Sequence, residues 1–232
     1  MTGGVKNVYM RSKQPSEVAA TTADRVLAVA EAVFSEKGQD KGSLREITSR
    51  AGVNLAAVGY HFGSKEALAS EVFARLASRV NKARVAQLDV YLAGGASGRR
   101  PDVAKIVSIF LQPYLGEGSE RSGLLMARFI LQHRLSPTAM SKKIIARHFD
   151  PMARRFIEGL AQACPDLSSA DLHWRYSFMV STVVLTITDR SKDNRLARLS
   201  NGLVDATRTD VMREALIGFL VGALAAPSPP KR

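Results

Sequence analysis

Residues 43–68 read SLREITSRAGVNLAAVGYHFGSKEAL. The spacing predicts two short helices joined by a tight turn, with a third helix following at once. Ser43 and Glu46 have the S-x-x-E spacing of a capping box, which satisfies the first free N–H groups of a helix. Leu44, Ile47 and Ala51 then share one helical face. Gly52 stands where the turn needs a positive φ. Asn54 is a good N-cap for the next helix, whose early residues Ala56, Ala57, Val58 and Gly59 are small. Val58 and Phe62, four apart, can lock that helix to a core. A small-residue outer face lets the backbone come close to a partner, as a recognition helix in a DNA major groove requires.

Working outward, Thr21 and Asp24 form another capping box and open a helix with Val26, Leu27, Ala30, Val33 and Phe34 on one side. Gly38 ends it. A long helix is predicted from about Ser64 to Leu92, then a Gly-rich break, GGASGRRP, at 94–101. Further helices are expected at about 102–115, 120–135, 137–163, 168–190 and 208–226, with Pro151 splitting or kinking the third of these. Ser168 and Asp171 have capping-box spacing for the fourth. No strand pattern and no internal repeat is found. The expected fold class is all-α: a three-helix helix-turn-helix domain at 21–66 and a helical bundle at 67–226. A basic arm would occupy 1–20, where Lys6, Arg11 and Lys13 read as a minor-groove arm or a solvated tail. The tail at 227–232, PSPPKR, is too Pro-rich for helix.

Bulk properties point the same way. The net charge of +12 suggests a polyanionic partner. Residues 1–66 hold nine Lys+Arg and seven Asp+Glu, so most of the excess lies in the second part, where solvated helix faces explain it equally well. The single Cys164 excludes an internal disulfide, fits a reducing cytoplasm, and reads as a small half-buried residue rather than a redox sensor. The N-terminus lacks the apolar region of a secretory signal. The apolar stretches 178–188 and 215–226 are shorter than the ~20 residues of a membrane span, so no membrane partner is expected.

The segments TTADRVLAVAEAVFSEKG, SLREITSRAGVN and YHFGSKEAL together resemble the TetR family of ligand-controlled transcription regulators, over about Thr21 to Leu68. The resemblance implies a homodimer on double-stranded operator DNA. Ser43, Arg45 and Thr48 would lie on the helix that crosses the phosphate backbone. Asn54, Leu55, Ala56, Ala57 and Gly59 would face the groove. Tyr60, His61 and Lys65 match positions that mostly hold phosphates; packing of the helix corner is the alternative for Tyr60 and His61, and a solvated charge for Lys65. Two residues depart from the family. Lys or another polar residue is frequent where Leu55 stands, and Tyr or Asn where Gly59 stands. Direct base readout is therefore expected to be thin, with thymine-methyl contact and DNA shape taking a larger share.

The resemblance also implies dimerisation through the last two long helices, with Phe178, Val183, Ile187, Leu216, Phe219 and Leu220 as an apolar seam or, equally, monomer core. An effector pocket would draw on Phe110, Tyr114, Met126, Phe129, His133, Phe149, Trp174, Phe178 and Met179, for each of which core packing is the competing explanation. The sequence DLHWRYSFMVSTVVLTI, followed by RLARLSNGLVD, resembles in part a branch that answers to fatty acids or other acyl compounds. That implies a small apolar effector, carrying a carboxylate held by Arg128, His133 or Arg175. No cofactor is implied. His61, His133, His148 and His173 sit in no metal-ligand spacing, and no catalytic motif is found. The resulting expectation is a cytoplasmic regulator, read as a repressor released by its effector. An activator or ligand-requiring regulator, a nonspecific polyanion-binding helical protein and a helical enzyme are the competing classes.

Overall fold

The computed structural model describes residues 21–95, 99–116, 118–189, 195–205 and 207–228. The expected arm at 1–20 lies outside the described residues, as do 96–98 of the GGASGRRP break and the end of the tail. Among the described residues the secondary structure is entirely helical. The elements are α1 (Thr22–Lys37), α2 (Leu44–Ala51), α3 (Leu55–Phe62), α4 (Lys65–Ala93), α5 (Val103–Leu115), α6 (Glu120–Leu135), α7 (Ala139–Ile144), a π-helical turn (Ile145–Phe149), α8 (Asp150–Ala163), α9 (Ser169–Thr188), α10 (Arg195–Leu199) and α11 (Thr209–Ala225).

Side-chain caps set the early boundaries. The Thr21 hydroxyl accepts from the Asp24 amide at 3.1 Å, and the Asp24 carboxylate accepts from the Thr21 amide, so that box is complete. At α2 only half of the expected box forms. Ser43 accepts from the Glu46 amide, but the Glu46 carboxylate is taken by Lys37 of α1 at 2.8 Å. The α9 cap differs similarly: Ser168 accepts from the Asp171 amide and donates its hydroxyl to the Asp171 carboxylate.

Val26, Ala30, Val33 and Phe34 of α1 bury against Ile47 of α2, Val58 of α3 and Leu68 and Val72 of α4. α4 then continues without a break into the larger bundle. Its 29 residues span about 43 Å. Arg75 and Arg79 of α4 pair with Asp24 and Glu31 of α1 at 2.7 and 2.6 Å. In the bundle α6 packs on α5, α9 and α1, and α11 lies along α5 and α9. Gly123 makes the α5–α6 crossing close. A Cβ there would stand 2.6 Å from the Pro113 carbonyl oxygen and the Tyr114 Cα.

The predicted helix 137–163 is two helices joined by the π-turn, with Pro151 in the first turn of α8. Pro lacks the N–H that an interior position must donate, and the first turn does not need it. The short α10 was not anticipated.

Candidate DNA-binding interface

The α2–α3 turn is shaped by Gly52, which takes the left-handed conformation (φ 64°, ψ 39°) and donates its N–H to Thr48 and Ser49 carbonyls. Asn54 caps α3 by accepting from the Ala57 amide at 2.8 Å. Val58 is the buried residue of α3 and pins it to the core. Leu55, Ala56, Gly59, Tyr60 and His61 are left exposed, Ala57 half-buried. Tyr60 is 87% exposed and touches the edge of the His61 ring, centroids 5.2 Å apart. Gly59 has no internal steric reason to be glycine, because a Cβ there would meet nothing within 4 Å.

Arg45 is exposed on α2 and makes no ion pair among the described residues. Ser43 is also exposed at the start of α2. Thr48 is placed differently from expectation. It is 7% exposed and its hydroxyl donates to the Arg45 carbonyl at 3.0 Å, so it braces α2 rather than offering a phosphate donor. Half-buried Lys65 donates to the Asp40 carbonyl at 3.0 Å and is positioned beside the α3–α4 corner. Arg50 pairs with Glu36 at 2.9 Å, and this guanidinium holds the Glu36 carboxyl below its ordinary range. With Glu46 held by Lys37, the acidic groups between α1 and α2 are matched by cations. The outward surface of α3 thus presents Leu55, Ala56 and Gly59, with Tyr60 and His61 toward its C-terminal end. It suits backbone approach to a polyanion.

A sequence model of bacterial regulatory proteins of the tetR family matches residues 26–72, and one of the tetracyclin repressor-like C-terminal domain matches 108–223. The chain belongs to the TetR family of transcriptional regulators. Its fold is similar to that of the fatty acid degradation regulator FadR from Bacillus halodurans, at 15% identity and a TM-score of 0.56, covering 86% of this chain and 97% of that one. A putative TetR-family regulator from Mesorhizobium loti matches at 17% identity and 0.55, covering 87% and 95%. A TetR regulator from Legionella pneumophila matches at 21% and 0.55, covering 86% and 95%. A comparison with curated protein sequences finds no match. The match at 26–72 spans most of α1, all of α2 and α3 and the start of α4, and within it α3 is the helix presented outward.

The expected effector residues separate into two groups. Phe110, Tyr114, Met126 and Met179 are buried together in the bundle, with Phe149 at its edge, and Phe129 is half-buried. Trp174 and Phe178 are instead 64% and 59% exposed and stack on each other outside α9, so they do not line an interior cavity. The three expected carboxylate partners are also displaced. Arg128 is exposed beside Gly38 of α1. Arg175 donates to the Ala223, Leu224 and Ala226 carbonyls and so caps α11. His133 shares a 2.8 Å hydrogen bond with the Ser141 hydroxyl.

Four of the expected seam residues, Val183, Ile187, Leu216 and Leu220, are buried within the chain and have no surface for a second copy. Phe219 is 62% exposed, as the seam requires. The apolar side chains that α9 and α11 turn outward are Trp174, Phe178, Leu185, Val211 and Phe219.

The sequence reading missed Asn81, Arg84 and Tyr176. Arg84 of α4 is 1% exposed, between the Phe110 and Tyr114 rings at 4.8 and 5.5 Å from their centroids. It donates to the Phe110 carbonyl at 3.1 Å and to Asn81 Oδ1 at 2.5 Å. Burial pushes the Tyr176 phenol well above its ordinary value, so it stays protonated. The signal was available: Ala77, Asn81, Arg84 and Leu88 are spaced four, three and four, the stripe of a core-facing helix side. Cys164 is half-buried and burial raises its thiol, in line with a packing role. Among the described residues, no group of three His, Cys, Asp or Glu could hold a metal. No described helix is long and apolar enough to cross a membrane.

Proposed function

We propose that this protein is a cytoplasmic, homodimeric repressor that binds a palindromic operator and leaves it when a small apolar effector occupies the bundle. The observation that carries the reading is the outward face of α3. Leu55, Ala56, Gly59 and Tyr60 are exposed there, while buried Val58 and half-buried Phe62 anchor the helix to the core. Leu55 and Ala57 would meet thymine methyls, Asn54 would stand at the groove edge, and Ser43, Arg45, Tyr60, His61 and Lys65 would hold phosphates.

Two recognition helices must reach half-sites ~34 Å apart, which calls for a dimer. The apolar face of Trp174, Phe178, Leu185, Val211 and Phe219 supports one. Gly218 and Gly222 lie on the same helix as Phe219, and a Cβ at either meets nothing within 4 Å, leaving room for a partner helix. An effector acts by binding the two dimer geometries unequally. The buried aromatic and Met cluster, and the fold shared with a regulator of fatty acid degradation, favour an apolar effector.

Selecting bound duplexes from a random pool at ~150 mM salt tests the reading, since nonspecific binding is weakened there. An inverted repeat is the expected product. The shortage of hydrogen-bonding side chains on α3 favours one rival, sequence-independent polyanion binding, which would enrich no motif. Adding effector to the enriched operator then separates repressor from activator by the sign of its effect on affinity.

A further inference from the structure

Arg84 carries a charge that no described residue neutralises. It is 1% exposed, and no carboxylate among the described residues lies within ion-pair distance of it. Asp150, which acts on the neighbouring Tyr176, makes no ion pair with it. Its partners are two neutral oxygens and two aromatic faces. Its Nε–H has no hydrogen-bond partner among the described residues. A buried cation in that state is costly, and a buried donor left without a partner adds to the cost.

The arrangement of the bonds says what is missing. A guanidinium takes a carboxylate side-on through Nε and Nη2, two parallel donors matched to two oxygens. Here Asn81 Oδ1 accepts from Nη2, and Nε–H meets no acceptor among the described residues. One amide oxygen stands where a carboxylate would put two.

Asn81 also faces a way in. It lines a groove of about 380 Å³ between α4 and the π-turn with the start of α8. Lys82, Arg147 and His148 add cationic or ionisable groups to the groove, Met152 is apolar and deformable, and the one carboxylate, Asp89, is held by Arg155 at 2.6 Å. Asn81 both lines the groove and accepts from Arg84, so it stands between the two, and Met152 beside it in the lining meets the Tyr176 hydroxyl at 3.8 Å.

We propose that Arg84 is the anchor for the carboxylate of a small amphipathic effector, and that Asn81 holds the place of that carboxylate in the empty protein. The ligand enters from the groove, displaces Asn81 Oδ1 and pairs with both Nε and Nη2, while Lys82 and Arg147 draw the anion in. This rests on the effector-responsive reading above and names the chemistry of the effector. It also gives a route to α3. Asn81 donates to the His148 carbonyl of the π-turn at 2.8 Å, and Arg84 and Asn81 sit on the helix that begins three residues after Phe62. Displacing Asn81 therefore loads the helix that carries the DNA-binding end.

Calorimetry on the full-length protein without DNA tests the proposal, with three pairs as probes: hexanoate and hexanol, decanoate and decanol, phenylacetate and phenylethanol. The expected result is that at least one carboxylate binds tighter than its alcohol by ~10- to 100-fold, the range for a charged hydrogen-bonded pair. Arg84→Met, and separately Asn81→Asp, which supplies an internal counter-charge, should bring the two members of that pair to equal affinity. A variant that merely loosened the fold would weaken both members alike and keep their ratio. Equal affinities within every wild-type pair, no carboxylate binding, or an unchanged ratio in Arg84→Met would overturn the proposal. Failure to select an operator would sink the repressor reading and leave this result untouched.

Discussion

Phe73 on α4 stacks on Phe129 on α6, ring centroids 4.5 Å apart and planes inclined by 28°. Phe129 in turn faces Phe149 of the π-turn at 6.4 Å. α6 also lies on α1, where Arg121 reaches Glu36 at 3.9 Å. A rigid aromatic contact thus ties the connecting helix to the element that leans on the DNA-binding end. Because Phe73 is 6% exposed, Phe73→Ala should cost about 3–5 kcal/mol of stability. Denaturant unfolding at fixed protein concentration checks this, and a loss below 1 kcal/mol would contradict it.

Tyr60→Ala should leave folding within about 0.5 kcal/mol of wild type, as its ring touches little besides His61. Operator affinity should fall while the dimer persists. Unchanged affinity would reassign Tyr60 to the helix corner.

Lys65→Ala removes a hydrogen bond to the Asp40 carbonyl on a half-exposed surface, a minor loss for the fold. If Lys65 holds a phosphate, binding should weaken on all sequences and the salt slope should shrink by about 1. An unchanged slope would leave Lys65 as a brace for the α1–α2 connection.

Gly59→Ala separates two effects. With open space around the new methyl, α3 should gain up to about 1 kcal/mol of helix propensity. Operator binding should nonetheless drop if the backbone approaches DNA at that point. A variant that is both stabler and equally active would show that no close approach occurs.

Phe178→Asp combined with Phe219→Asp places charges on the exposed α9–α11 face without touching buried residues. Light scattering should report a monomer with unchanged helicity. A persistent dimer would place the interface elsewhere.

Asp24 couples α1 to α4. Thr21 and Arg75 hold its carboxyl below the ordinary 3.8, so its contribution is present above that value and fades as pH falls through the lower folded value. Wild type should therefore be the more stable at pH 7, and wild type and Asp24→Asn should converge in acid. A gap that stays constant down to pH 2 would exclude titration of Asp24 as its source.

The helices were legible because their signals are local. Thr21, Ser43, Asn54, Ser64 and Ser168 cap where their side chains permit, and apolar periodicity placed α5, α6, α9 and α11 within two residues. The outward residues of α3 were legible for the same reason, since Val58 fixes which face is inside. What escaped depends on long-range packing. Thr48 reads as a surface hydroxyl until the α2 carbonyl of Arg45 is seen to claim it. Trp174 reads as interior by residue type, yet lies on a side of α9 that no described element covers. Arg84 falls on the core-facing stripe of α4, but that its charge is buried shows only where Phe110 and Tyr114 close over it. The π-turn has no single-residue signature, because it follows from fitting α7 and α8 against α4 together.

That π-turn makes the chain's length non-negotiable at one place. A π-turn is an α-helix holding one surplus residue. Deleting any residue of Ile145–Phe149 would let the helix relax to regular winding, and each α-helical residue subtends about 100°. Met152, Phe156 and Leu160, all buried on one side of α8, would swing round together and leave their sites while α7 stayed put. A single substitution here alters one side chain, whereas a one-codon loss rewrites the face of a whole helix. Among family members, insertions and deletions should therefore gather in stretches such as 94–101 and avoid 145–149.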